Sequence, residues 1–184
     1  MQLTRATISH AALAILDEYG LADVSMRRVA TSLGVAPGAL YWHIKNKQEL
    51  ISNLAELIIA PLIDAPSTSP EATCAQVRSA LLAHRDGAEV VLSAVSQPDS
   101  PVGARLDAIV AESLRSADNE TSESDVLAAA EGLIFLTLGA TYVQQSSTQL
   151  AEATGDNPGG SDRPANAERA IAFLLQGLRD DERE

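Results

Sequence analysis

The chain has 184 residues, 46% of them hydrophobic but only 3% aromatic, and a formal net charge of −12. That apolar content excludes an intrinsically disordered chain. The single cysteine, Cys74, excludes an intrachain disulfide and a cysteine-cluster metal site, and no unbroken apolar run approaches the ~20 residues of a membrane span. The aromatics are Tyr19, Tyr41, Trp42, Phe135, Tyr142 and Phe173. The core must therefore be aliphatic and rich in alanine, which favours close-packed helices over sheet. The start, Met1-Gln2-Leu3-Thr4-Arg5, lacks the apolar stretch of a signal peptide. A soluble, cytoplasmic, all-α protein is expected.

In chain order, Ile8, Ala11, Ala12, Ile15, Leu16 and Tyr19 recur at helical spacing and predict a first helix from Thr4 to Tyr19, stopped by Gly20. Ser25 can cap a second helix that runs through Leu33, with Arg27 and Arg28 in its first turn and Gly34 after it. Pro37 suits the first position of a short third helix ending near His43. Asn46-Lys47-Gln48-Glu49 resembles a capping box for a fourth helix, with Leu50, Leu54, Leu57 and Ile58 inward. Pro61, Pro66 and Pro70 mark a break. Beyond it, amphipathic helices are expected over Glu71–His84, Gly87–Val95 and Val102–Ser116. A long, almost wholly apolar helix is expected over 122–146, a loop over 154–164 and a last helix over 165–179, before a frayed acidic end, Asp180 to Glu184.

The charge is unevenly divided. Residues 1–50 hold five basic groups (Arg5, Arg27, Arg28, Lys45, Lys47) against four acidic ones, which leaves eight basic and 21 acidic groups for residues 51–184. A local basic face on an acidic body can still meet phosphates, because salt screens distant charges beyond about 8–10 Å. The same stretch carries the strongest local pattern. Ala30, Gly34, Val35 and Leu40 stand where a helix-turn-helix needs a small residue, a turn glycine and two apolar plugs. Tyr41, Trp42 and His43 follow beside Lys45 and Lys47, an odd surface for an inert hairpin.

The run Leu40-Tyr41-Trp42-His43-Ile44-Lys45-Asn46-Lys47, followed by Glu49-Leu50, resembles the signature of the tetracycline repressor (TetR) family of transcriptional regulators. The resemblance covers residues 4–60 closely. It continues more weakly through His84-Arg85-Asp86-Gly87-Ala88 and the ending with Phe173 and Gly177-Leu178, which resemble the tetracycline repressor subgroup. It implies a helix-turn-helix DNA-binding domain over 1–46 and a ligand-binding and dimerisation domain over 47–184. The expected partner is a palindromic double-stranded DNA operator. Arg27 is the candidate for reading a guanine edge; Ser25, Tyr41, Trp42 and Lys47 are candidates for phosphates, and His43 for either. Pro37-Gly38-Ala39 replaces the subgroup's polar readers. Such a face touches a thymine methyl but makes few hydrogen bonds, so the operator should differ from the tetracycline operator.

The same comparison argues against a tetracycline–magnesium effector. Val91 stands where the resemblance places a metal-binding histidine, Ala94-Val95 replaces a Thr-Arg pair, and Ile63 aligns with the other ligand-contacting histidine; Mg²⁺ prefers oxygen ligands. No metal or cofactor is implied. The remaining pocket would be apolar, walled by Val77, Leu81, Val91, Val95, Leu106, Ile109, Phe135 and Leu138, with Thr73, Thr137 and Gln144 as polar anchors for a small lipophilic effector. Equally, such stripes are what a plain core looks like. The link to DNA would run from Gly87–Ser96 to the fourth helix.

Helices 122–146 and 165–179 are too apolar to face water on all sides and suit a four-helix homodimer interface. Two recognition helices would then lie about one DNA turn, ~34 Å, apart. His84 beside Asp86 hints at catalysis, but no nucleophile motif accompanies them, and a structural role at the joint between two helices fits better. An enzyme is not expected. A helical adaptor that binds proteins and has lost DNA binding is the alternative that Pro37-Gly38-Ala39 keeps open.

Overall fold

The computed structural model describes residues 2–64, 69–118, 120–155 and 163–180, and among them every regular element is a helix. These are α1 (Arg5–Tyr19), a single 3-10 turn (Leu21–Asp23), α2 (Met26–Ser32), α3 (Pro37–Leu40), α4 (Lys47–Asp64) and α5 (Pro70–Leu82). They continue as α6 (Gly87–Val95), α7 (Pro101–Ala117), α8 (Glu123–Thr154) and α9 (Arg163–Asp180).

Local chemistry sets most of the starts. Thr4 and Thr7 form a reciprocal capping box at α1, and the hydroxyls of Ser25, Ser69, Ser100 and Ser122 accept from backbone N–H groups of the first turns of α2, α5, α7 and α8. At α4 the Asn46 carboxamide oxygen accepts from Glu49 N at 2.8 Å, whereas the Glu49 carboxylate reaches one residue further back, to Lys45 N at 2.7 Å.

One continuous aliphatic core joins the two ends of the molecule. Leu50, Leu54 and Ile58 of α4 are wholly buried, and burying each is worth about 1.5–3 kcal/mol. Helix α4 lies between α1 on one side and α5, α6 and α7 on the other, so it joins the first helix of the N-terminal unit to the body. Helix α5 is central to the body, with α4, α6, α7, α8 and α9 around it.

The structure departs from the sequence expectations at several places. Helix α3 is one turn only, and Tyr41 to His43 form a turn closed by His43 N and Ile44 N donating to Leu40 O, both at 2.9 Å. Helix α4 continues through Pro61 to Asp64, because a proline in the last turn forfeits a single hydrogen bond while Ile59 and Leu62 stay buried. Helix α8 runs two turns beyond its expected end, to Thr154, since no residue before Gly155 (φ 71°) breaks it. The loop expected over 154–164 and the frayed end fall largely outside the described residues, as does much of the proline break.

Helix α8 also corrects the reading of hydropathy. An 18-residue window reaches a mean hydropathy of 1.7, so length and composition alone would allow it to cross a membrane, although no unbroken run suggested it. Within the fold, 44% of that window is buried. The Thr137 and Thr141 hydroxyls inside it donate back to helix carbonyls at 2.7 Å. Outward, α8 and α9 expose Leu127, Phe135, Tyr142, Val143, Leu150 and Phe173.

Gly87, the first residue of α6, sits where a Cβ would lie 2.3 Å from Leu81 O, a backbone atom that cannot swing aside. Gly87→Ala is expected to lower unfolding free energy by about 2 kcal/mol or more, measured by urea denaturation. An unchanged midpoint would mean that the α5–α6 turn relaxes without cost.

Candidate nucleic-acid interface

Ser25 Oγ accepts from Arg28 N at 3.2 Å and so fixes the start of α2, with Arg27 exposed on its first turn. The next residue, Arg28, is engaged elsewhere. Its guanidinium stacks 3.9 Å from the Tyr19 ring centroid and pairs with Asp23, which ties α2 to the end of α1. Of the tandem arginines, Arg27 is the one turned to solvent.

Ala30 is completely buried where α2 meets the following turn. Gly34 takes a φ of 68°, the left-handed conformation the turn requires, and Val35 N returns to Ala30 O at 3.0 Å. Pro37 opens α3; Pro37 and Gly38 are exposed, Ala39 is half-buried, and Leu40 plugs the core. In the turn after α3, Tyr41 is 53% exposed and Trp42 is 90% exposed, while His43 is half-buried. Lys45 and Lys47 stand exposed at the start of α4. Ser25, Arg27, Pro37, Gly38, Ala39, Tyr41, Trp42, His43 and Lys47 thus share one compact segment, where an indole ring is held almost entirely in water.

Another set of contacts fastens the end of α1, on which this segment is mounted, to the body. Asp86, between α5 and α6, has a φ of 55°. One of its oxygens accepts from Leu21 N at 2.7 Å, just after α1, and the other accepts from the Gln149 side chain of α8 at 2.5 Å. Gly20 (φ 89°) makes room, since a Cβ there would lie 2.8 Å from the Asp86 carboxylate. Around it, His84 Nδ1 meets Asp17 at 3.0 Å and the Arg85 guanidinium donates to Glu18 O at 3.4 Å. Gln145 of α8 holds the turn from behind. Its amide nitrogen donates to Leu81 O and His84 O at 3.2 and 2.9 Å, and its oxygen accepts from Ala88 N at 2.9 Å. His84 and Asp86 therefore stand at a joint, as the sequence suggested, but the joint includes α1 and α8 as well. Gln145 and Gln149 went unread, because their partners lie about sixty residues away and are mostly backbone atoms.

In the body, Thr73, Val77, Leu81, Val91, Leu106 and Leu138 are buried to 2% exposure or less, and Val95 and Ile109 pack half-buried at the edge. Phe135 is 55% exposed on the outer side of α8. Thr137 is buried, Gln144 accepts from Arg78 at 2.9 Å, and the buried Thr73 hydroxyl has no hydrogen-bond partner. The place of a metal-binding histidine is filled by Val91 at 0% exposure, with Ala94 buried beside it and Ile63 49% exposed. None of these three side chains carries an oxygen or nitrogen donor for Mg²⁺, so they do not fit the ion.

Comparison with known proteins agrees with this geometry. The family model of bacterial regulatory proteins of the tetR family matches residues 8–54. The chain is 32% identical over 190 residues to the class C tetracycline repressor protein of Escherichia coli, covering 96% of this chain and 83% of that one. Among solved structures it is similar to BioQ of Mycobacterium smegmatis, with 36% identity, a TM-score of 0.81, and 96% and 98% of the two chains covered. It is likewise similar to BioQ with its natural double-stranded DNA operator, at 33% identity and a TM-score of 0.78, covering 96% and 98%. A helix-turn-helix with a solvent-held aromatic and basic surface, mounted on an all-helical body and matched over nearly its whole length by such relatives, places the chain in the TetR family of DNA-binding transcriptional regulators.

Proposed function

We propose that the protein is a transcriptional repressor that grips a palindromic operator as a homodimer and is released by a small lipophilic effector. The observation that carries this reading is Trp42 at 90% exposure, beside exposed Arg27, Tyr41, Lys45 and Lys47, in the helix-turn-helix. An indole kept almost wholly in water beside basic side chains is a surface awaiting a partner. The operator complex of BioQ supports DNA as that partner. Arg27 reads a guanine edge; Ser25, Tyr41, Trp42 and Lys47 hold phosphates, and His43 sits at the end of the reading surface. Pro37-Gly38-Ala39 contributes contact with thymine methyls rather than hydrogen bonds. The protein acts where its DNA is, in the cytoplasm, with residues 1–46 as the reading domain and 47–184 as the body.

The exposed apolar residues of α8 and α9 support a homodimer, since a second copy of the same face would bury them. Release follows if the effector prefers a state in which the two reading helices are wrongly spaced. Two mechanical routes run from body to reader. One is the Asp86 clasp. The other joins α6 to α4, where Gln97 accepts from Ser52 Oγ at 3.0 Å and donates to Gln48 O at 3.4 Å. The valine-filled position 91 argues that the effector is not a tetracycline–Mg²⁺ complex.

Selection of duplexes from a random pool should enrich a palindrome. Arg27→Ala should blur its guanine positions and cost about 1–3 kcal/mol in affinity. No enrichment would favour the adaptor. Trp42→Ala is expected to weaken all duplexes alike while leaving urea stability within about 0.5 kcal/mol of the parent; a large stability loss would show that the indole packs. Calorimetric titration with tetracycline and Mg²⁺ should give no binding heat, and micromolar affinity would contradict the effector reading.

A further inference from the structure

Glu49, in the first turn of α4, uses both carboxylate oxygens outside its own helix. Oε2 accepts from Lys45 N at 2.7 Å, just before α4 begins, and Oε1 pairs with the Arg5 guanidinium of α1 at 3.0 Å. The Glu49 N–H meanwhile donates to the Asn46 carboxamide oxygen at 2.8 Å. The stretch between α3 and α4 is therefore tied at each end. Leu40 O takes the N–H groups of His43 and Ile44 at its start, and Glu49 takes that of Lys45 at its finish. Leu40 and Ile44 are wholly buried, so exposed Tyr41 and Trp42 ride on a short arch whose two feet are fixed. Arg5 is fixed as well, since the Thr4–Thr7 capping box sets the start of α1 beside it.

As an ion pair, Arg5 and Glu49 contribute little to stability. Their side chains are 63% and 23% exposed, and water and salt screen such pairs. Toward DNA the charge of Glu49 is unfavourable, because it stands near Lys45 and Lys47 and an anion there opposes a polyanion. What the carboxylate supplies is direction. An ionised oxygen is a stronger acceptor than a neutral one, and this one holds a main-chain N–H within the segment that carries Trp42 and both lysines. Arg5 in turn keeps the carboxylate in place and brings the start of α1 to the same surface.

We propose that Glu49 is a positioning residue for DNA binding: through Lys45 N and Arg5 it fixes the Trp42-bearing arch against the start of α1. It thereby tightens a contact with a polyanion that its own charge opposes. The inference rests on the reading of residues 41–47 as a DNA surface. It gives the contribution of Glu49 a sign that charge alone does not. Removing an acid from such a surface favours binding electrostatically, whereas releasing the arch disfavours it, and the second effect is the larger.

The test uses the full chain, its fold checked by circular dichroism, and a labelled duplex that the parent enriches from a random pool. Glu49→Ala should bind that duplex about threefold or more weakly, the size expected for a lost cap. Glu49→Gln removes the same charge but keeps an oxygen for Lys45 N. It should bind within about twofold of the parent, or more tightly. Hydrogen exchange in the free protein gives a reading that needs no DNA. The Lys45 amide should exchange about tenfold faster in Glu49→Ala and stay protected in Glu49→Gln. Glu49→Ala binding as tightly as the parent overturns the proposal, and so does Glu49→Gln weakened as much as Glu49→Ala. Equal Lys45 exchange in all three proteins overturns it too, whatever the duplex shows. A parent that enriches no duplex overturns instead the reading of residues 41–47 on which the proposal rests.

Discussion

One carboxylate holds the molecule together as a regulator. Asp86 offers its two oxygens to two different parts of the chain, the Leu21 N–H just after α1 and the Gln149 amide of α8. Its neighbours are shaped for that contact. Gly20 and Gly87 flank it because a Cβ at either position would strike a nearby atom, and Asp86 itself adopts a left-handed backbone that aspartate tolerates better than most residues. A hydrogen bond to a charged group is worth about 1.5–3 kcal/mol, enough to shift an equilibrium between two domain orientations by tenfold or more and weak enough for a ligand to oppose. The N-terminal helices are thereby fastened to the body through the buried stripe of α4 and through the contacts of the α5–α6 turn with the end of α1.

The second physical theme is the separation of charge. The body carries the acidic excess, whereas the segment from Arg27 to Lys47 carries both lysines of the chain, and under the proposed function these would meet phosphates within a screening length. Arg28, spent on Tyr19 and Asp23, keeps α2 in place so that Arg27 can remain exposed. Two adjacent arginines thus differ in setting, one engaged within the fold and one left to solvent, where the proposed function uses it.

How much of this could be read from the sequence varies with the range of the interaction. The helix-turn-helix was legible because its determinants are local: a cap at Ser25, a small residue at Ala30, a turn at Gly34 and a proline start at Pro37. The family resemblance rested on the same stretch and is upheld by relatives that match it. The short α3, the passage of α4 through Pro61 and the full length of α8 were misjudged because tertiary packing, not propensity, decides where those helices end. Gln145 and Gln149 could not be found at all, since a glutamine on an amphipathic helix carries no sign of which distant carbonyl it holds.

The most direct measurement is hydrogen exchange at the Leu21 amide in the full chain, comparing the parent with Asp86→Gly, a substitution that keeps the left-handed backbone and deletes the carboxylate. If the clasp fastens the reading segment to the body, Leu21 should exchange about tenfold faster or more in the variant, while Leu16 and Val29, bonded within their own helices, keep their protection. Leu21 exchanging at the same rate in both proteins would contradict the account, and would leave α4 and the contacts of His84 and Arg85 with Asp17 and Glu18 to join the N-terminal helices to the body.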